Sequence, residues 1–174
     1  MDQALRVLLL LIFGGGAMTA FAGGAVYWME PARRIGRQLR RMLDGAADAV
    51  VAGPARGQGA ALRLDQSRIA IVRDPTDHGL VFDLHELVGA ELIFDGHVSA
   101  RAFRGEQRKA LDKIDPEVRR VTLRLVFDDV RDPDFELELW NASDHPRQGW
   151  DGPDAVQAAR KFFARIEALV RTAR

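Results

Sequence analysis

The sequence predicts an α+β protein: an N-terminal transmembrane helix, a run of short antiparallel strands, and one amphipathic C-terminal helix that closes them. Three observations carry this. No charged residue falls between Val7 and Met29, and Arg33, Arg34, Arg37, Arg40 and Arg41 follow at once. Beyond the glycine-rich stretch that ends at Gly59, apolar residues recur with period two, as in strands with one buried face. From Asp154 onward the period is again that of a helix.

Residues 1–30 are the expected anchor. As a helix, the 23 residues from Val7 to Met29 cover about 34 Å at ~1.5 Å per residue, enough to cross a ~30 Å hydrocarbon core. Tyr27 and Trp28 stand where interfacial aromatics belong, just before the charges begin. The arginines that follow should stay on the cytoplasmic side, because short loops rich in Lys and Arg resist translocation. The preceding flank offers only Arg6 and the terminal amine, offset by Asp2. The expected topology has the N-terminus periplasmic and the rest of the chain cytoplasmic. Within the span, Gly16, Ala20 and Gly24 recur every four residues, with Gly15, Thr19 and Gly23 beside them. Such a face lets a second helix approach closely in lipid, so a protein partner or a homo-oligomer is expected through it.

A cleaved signal peptide is the competing reading. Ala20-Phe21-Ala22 has the small-x-small form of a cleavage site, and Val7 to Phe13 would serve as the apolar region. Against it stand a nearly neutral N-terminal flank, an apolar run that continues past the cut to Met29, and five arginines that would have to be exported.

Residues 31–52 are expected to form a basic amphipathic juxtamembrane helix. Pro31 suits a first turn, where its missing N–H is harmless. Ile35, Leu39, Met42/Leu43, Ala46 and Val50 follow at helical spacing, with arginines on the remaining face. Such a helix either lies along the lipid headgroups or extends the anchor. Residues 53–60, with Gly53-Pro54-Ala55-Arg56-Gly57-Gln58-Gly59, have the composition of a linker. They are no nucleotide loop: no strand is expected before them, position 62 is Leu, and no Gly-Lys-Ser/Thr follows.

The cytoplasmic domain is expected over 61–174. Ala61–Leu64 and Arg68–Val72 form a strand or a bent pair, closed by the turn composition of Asp74 to Gly79. Leu80–Leu84 is a short strand. Ala90, Leu92 and Phe94 alternate with Glu91 and Asp95, and Asp95-Gly96 signals a hairpin into His97–Phe103. A long polar connection, Arg104–Arg120, leads to two clear strands. In Val121–Phe127 the inward set is Val121, Leu123, Leu125 and Phe127; in Phe135–Trp140 it is Phe135, Leu137 and Leu139. Glu136 and Glu138 face out, where they are expected to pair with Arg124. The closing helix starts near Asp154, its N-cap or first-turn acid. It carries a stripe of Val156, Ala159, Phe162/Phe163, Ile166 and Leu169/Val170.

In element order this layout resembles the pleckstrin-homology-like (PH-like) fold, a bent antiparallel barrel capped by a C-terminal helix, and in particular its bacterial membrane-anchored versions. The resemblance covers about Ala61 to Arg174 and rests on that order and on Phe162-Phe163-Ala164-Arg165-Ile166-Glu167-Ala168-Leu169. It implies a barrel and a binding or scaffolding role. The tryptophan typical of that closing helix is absent, Trp150 lying before it, and no basic pocket falls between the first strands. Phosphoinositide binding is therefore not implied.

Charge and composition exclude several classes. Lys and Arg together number 25, as do Asp and Glu, but residues 1–43 hold six arginines against Asp2 and Glu30. From Ala61 onward acids slightly outnumber bases, the reverse of a nucleic-acid-binding domain. With no cysteine there are no disulfides, thiolate nucleophiles or Cys-based zinc sites. Arginine in place of lysine, with abundant Ala and Gly, is the usage of GC-rich bacterial genomes, which makes the expected membrane the bacterial inner membrane. Enzyme signatures are largely missing. His85-Glu86 lacks the second His of a zinc-protease helix, since position 89 is Gly. His78 with Asp74 and Asp77 reads as turn chemistry. Asp128, Asp129, Asp132 and Asp134 lack the ligand register of a calcium loop. No catalytic residue, metal site or cofactor is expected. The function expected is protein interaction or scaffolding at the membrane, with binding of lipid or a small ligand as the alternative.

Overall fold

In the computed structural model of the chain, residues 31–74, 79–107, 118–144 and 151–172 are described. The elements in order are α1 (Pro31–Met42), β1 (Ala49–Gly53), β2 (Gln58–Arg63), β3 (Arg68–Val72), β4 (Leu80–Asp83), β5 (Leu87–Phe94), β6 (His97–Phe103), β7 (Arg120–Phe127), β8 (Asp134–Asn141), a 3-10 turn (Ala142–Asp144) and α2 (Gly152–Thr172). The fold is α+β, with two antiparallel sheets ordered β1-β2-β3-β4 and β6-β5-β7-β8. The anchor assigned to residues 1–30 and the histidine at position 78 lie outside the described residues.

One core lies between the sheets and under α2. Val51, Ala60, Leu62, Ile69 and Ile71 enter it from the first sheet, and Leu92, Leu123, Leu125, Leu137 and Leu139 from the second. Ala155, Ala159, Phe162, Phe163, Ile166 and Val170 enter from α2. The pairing Leu92–Leu123–Leu137 runs straight across β5, β7 and β8, so alternation places these leucines on one face, as the sequence predicts. Two seams join the sheets. Phe82 of β4 stacks on Phe127 of β7 at 4.4 Å, with Phe135 of β8 edge-on to Phe127 at 5.7 Å. At the other seam Gly53, the last residue of β1, lies against the backbone of Glu138 and Leu139 in β8.

Among the described residues no sheet closes into a barrel, contrary to the expectation from the resemblance. The reason lies in β2 and β3, whose central residues are buried on both faces. One face meets the common core; the other carries Ala61 and Ala70, with Ala52 and Val72 beside them, under Ile35, Leu39 and Leu43 of α1. A sheet used as a middle layer buries both faces while remaining open.

The helix expected over 31–52 is also shorter than predicted. It ends at Met42 instead of reaching 52, and 49–53 is a strand. The Gly45 N–H donates to the Arg40 carbonyl at 3.0 Å and the Asp44 N–H to that of Arg41 at 3.2 Å, with Asp44 left-handed at φ 53°. These are the two bonds of a Schellman stop. The Arg63 guanidinium caps the Leu43 carbonyl at 2.6 Å. Ala46 and Val50 continue the helical spacing by coincidence. Nor is 53–60 a linker: it holds the turn of the β1–β2 hairpin, where the Arg56 N–H donates to the Gly53 carbonyl at 3.1 Å and Gly57 takes φ 68°. Residues 31–63 thus build the first layers of the domain, which does not begin at 61.

Other local expectations hold. Asp95 and Gly96 both have positive φ, 50° and 83°, as a two-residue hairpin requires. The Asp95 carboxylate then accepts the N–H groups of Arg119 and Arg120, the latter at 2.7 Å. Asp154 is the first-turn acid of α2, and Asp151 is its cap, accepting the Asp154 N–H at 3.0 Å. The expected pairing of Arg124 with Glu136 and Glu138 does not form: Arg124 faces Glu91 and Glu136 across the ladder but ion-pairs with Glu91 at 3.4 Å and with Asp134, while Glu138 pairs with Arg56 and Arg120.

Candidate functional site

Helix α1 has one face that must be buried, and the sequence leaves open against what. The structure buries it against protein. At ~100° per residue, Ile35, Leu39 and Leu43 share one side, and the five arginines fall within about 120° on the opposite side. Ile35 and Leu39 are 3 % and 0 % exposed. The approach is close because Gly59 lies beneath: a Cβ there would stand 2.7 Å from Ile35 Cγ2 and 3.3 Å from Leu39 Cδ1. An apolar stripe so engaged cannot also lie in lipid. What α1 turns outward is its arginines, with Arg34, Arg40 and Arg41 exposed and Arg33 and Arg37 half-buried. Asp44 is the one acid between positions 31 and 47. The arginines thus form a single positive surface on the outermost layer, next in sequence to the apolar stretch ending at Met29.

Both ends of this face adjoin the hairpin layer. At the N-terminal end, Pro31, Arg34, Ile35 and Gln38 of α1 and Pro54, Arg56 and Gly57 of the β1–β2 turn line a cleft of about 220 Å³. Arg56 is already committed there. It donates to Glu138 Oε1 at 2.7 Å and lies 3.3 Å from Asp144. The hydrogen bond to Glu138, then the charges of Glu138 and Asp144, raise its pKa above the ordinary guanidinium value. Arg120 also reaches Glu138, at 3.5 Å. Positive charge in this cleft is therefore largely matched. At the C-terminal end Arg63 pairs with Asp65 at 2.8 Å, and that hydrogen bond holds the Asp65 carboxyl below its usual range.

Reading the sequence missed Arg56 and Arg63. Both sit in or beside the stretch taken for a linker, and their roles depend on Glu138 and Leu43, 82 and 20 residues away. Only the Asp44-Gly45 dipeptide after a basic last turn hinted that the chain folds back there.

The remaining candidates are placed as follows. Gly15, Gly16, Thr19, Ala20, Gly23, Gly24, Tyr27 and Trp28 lie outside the described residues. Among the described residues no helix is long and apolar enough to cross a membrane. His85 and Glu86 sit in the β4–β5 turn, where Glu86 accepts the Asp83 N–H at 2.8 Å. In the β7–β8 connection Asp129 accepts the N–H groups of Arg131 and Asp132, at 2.7 and 3.2 Å, which lowers its pKa. Asp132 ion-pairs with Arg73 at 3.3 Å. These acids serve the turn. No protein-family model, curated protein or solved structure matches the chain.

Proposed function

We propose that this chain is a single-pass bacterial inner-membrane protein, its N-terminus periplasmic, that presents a non-catalytic, PH-like interaction or scaffolding domain to the cytoplasm as part of a membrane complex. The supporting observation is the arrangement of α1. Its apolar face is used up within the domain, and its arginine face follows directly on an uncharged stretch long enough to span a bilayer. On this reading no linker separates the domain from the span.

A periplasm-active reporter fused after Arg174 should be silent and a cytoplasm-active one should report, because the arginine excess follows Met29. The reverse pattern would mean the domain is exported. A mature N-terminus at Gly23 would make residues 1–22 a signal peptide and end the anchor reading.

Helix–helix contact through the small-residue face is the proposed route to a partner or a second copy. Gly16→Leu or Gly24→Leu inserts bulk at the closest approach, so crosslinking in membranes should fall while insertion persists. Met18→Leu, on the bulky face, should change little. Equal signals from all of them would reduce the anchor to a tether.

The second reading, a membrane-held module for a lipid or small ligand, is favoured by the cleft between Arg34, Gln38 and Arg56. It takes second place because 220 Å³ is below the ~300–1,000 Å³ usual for ligand sites, and because Arg56 is already held by two carboxylates.

A further inference from the structure

We infer that the outward face of α1 lies on anionic phospholipid headgroups and so sets one orientation of the domain on the bilayer. This deepens the proposed function and rests on its membrane placement. The face is a surface and not a pocket: Arg34, Arg40 and Arg41 are exposed on one side of a helix whose other side is fixed to a sheet. Fixing the helix aligns the charges in advance, so contact with a flat, negative surface engages them together. Arg33 stands four residues beyond Met29, at most about 14 Å of chain. That distance keeps the face near the leaflet, where a Debye length of about 8 Å limits attraction to charges close by.

The layer order then determines what points away from the membrane. From the bilayer outward come α1, the β1–β4 sheet, the common core, and the β5–β8 sheet with α2. The outer face of the second sheet, carrying Glu91, Arg124 and the exposed Glu136, is thereby left to the cytoplasm and open to a protein partner. Without the lipid contact, a domain joined to a single span would sample many orientations.

The chain contains no cysteine, so single labels can be placed in the full-length protein. Ala46→Cys puts a fluorophore beside Arg40 and Arg41, on exposed backbone past the helix end. Glu136→Cys puts one on the far sheet. Each labelled protein is reconstituted in vesicles of phosphatidylcholine alone or mixed with phosphatidylglycerol, with a quencher on the lipid headgroup. Strong quenching at position 46 and weak quenching at 136 is expected with phosphatidylglycerol. At each basic residue surface attraction contributes roughly a fivefold factor. Arg34→Gln, Arg40→Gln and Arg41→Gln together should then lower the docked-to-undocked ratio about a hundredfold, and added salt should mimic this. Flotation keeps the two readings apart. If the protein floats with both vesicles but position 46 is quenched equally in both, or equally with and without the three arginines, the orientation is not set by lipid charge and the inference is overturned. If it floats only with the anionic vesicles, the span is not an anchor, while the charged contact stands. Protection of position 46 by a co-purifying acidic protein or by nucleic acid in neutral vesicles would assign the face to that partner and overturn the lipid contact.

Discussion

Phe162→Ala should lower the unfolding free energy by ~3–5 kcal/mol, as expected for a fully buried aromatic whose site cannot collapse around the loss. Phe162 is 2 % exposed in the middle of α2, in the core shared with Leu123, Leu125, Leu137, Leu139 and Ile166. Its burial within this core puts the expected loss above that of a rim position. Against a typical total of ~5–15 kcal/mol, this is enough to populate unfolded protein at ordinary temperature. The measurement is denaturant unfolding of wild type and variant, with the slope unchanged and the midpoint lowered. Val130→Ala is the control: Val130 is fully exposed in the β7–β8 connection and should shift the midpoint by less than about 0.5 kcal/mol equivalent. A loss below about 1 kcal/mol for Phe162→Ala would mean that α2 does not close the second sheet.

The strands that could be read best were those with one wet face. In β7 and β8 the leucines alternate with Arg124, Glu136 and Glu138, and their register follows from that alternation. In β2 and β3 the alternation disappears, because Ala61 and Ala70 face α1 while Ala60, Leu62, Ile69 and Ile71 face the core. A strand apolar on both sides shows its existence but not its layer. β1 was missed for a different reason. Ala49–Gly53 is only five residues long, and Ala46 and Val50 happen to extend the spacing of Ile35, Leu39 and Leu43. A β-bulge at Val121/Thr122 also breaks the strict period at the end of β8, where Leu139, Trp140 and Asn141 are all buried in a row.

For the candidate site, the residue types were legible and the geometry was not. Five arginines on one side of a helix can be counted from spacing alone. Whether the opposite side meets lipid or protein depends on Gly59, Ala61 and Ala70, which come from strands that spacing assigned partly to a linker. A stripe states that something covers it, never what. The pairing of Arg56 with Glu138 likewise spans 82 residues and follows only from the β1–β8 seam. That seam decides whether the segment after α1 is part of the domain or a tether to it, and it can be tested directly.

Gly53→Ala should destabilise the chain by about 3 kcal/mol or more, at or beyond the upper end for overpacking. A Cβ at this position would stand 2.9 Å from the Glu138 carbonyl carbon and 3.1 Å from Leu139 Cα, and closer still to the Glu138 oxygen. All three are backbone atoms inside a paired strand, so no rotamer change relieves the overlap. Gly53 is not among the glycines with positive φ, so the cost is steric and not conformational. Separating the sheets there would also lengthen the Arg56–Glu138 ion pair next to it. Gly36→Ala is the matched comparison: nothing lies within 4 Å of its Cβ position on α1, and the substitution should stabilise by roughly 1 kcal/mol through helix propensity. The two substitutions therefore move the unfolding midpoint in opposite directions if the hairpin is built into the fold. A linker would give the same near-zero shift for Gly53→Ala as for any exposed loop position, and residues 31–60 would then be a stalk that leaves the domain to start at 61.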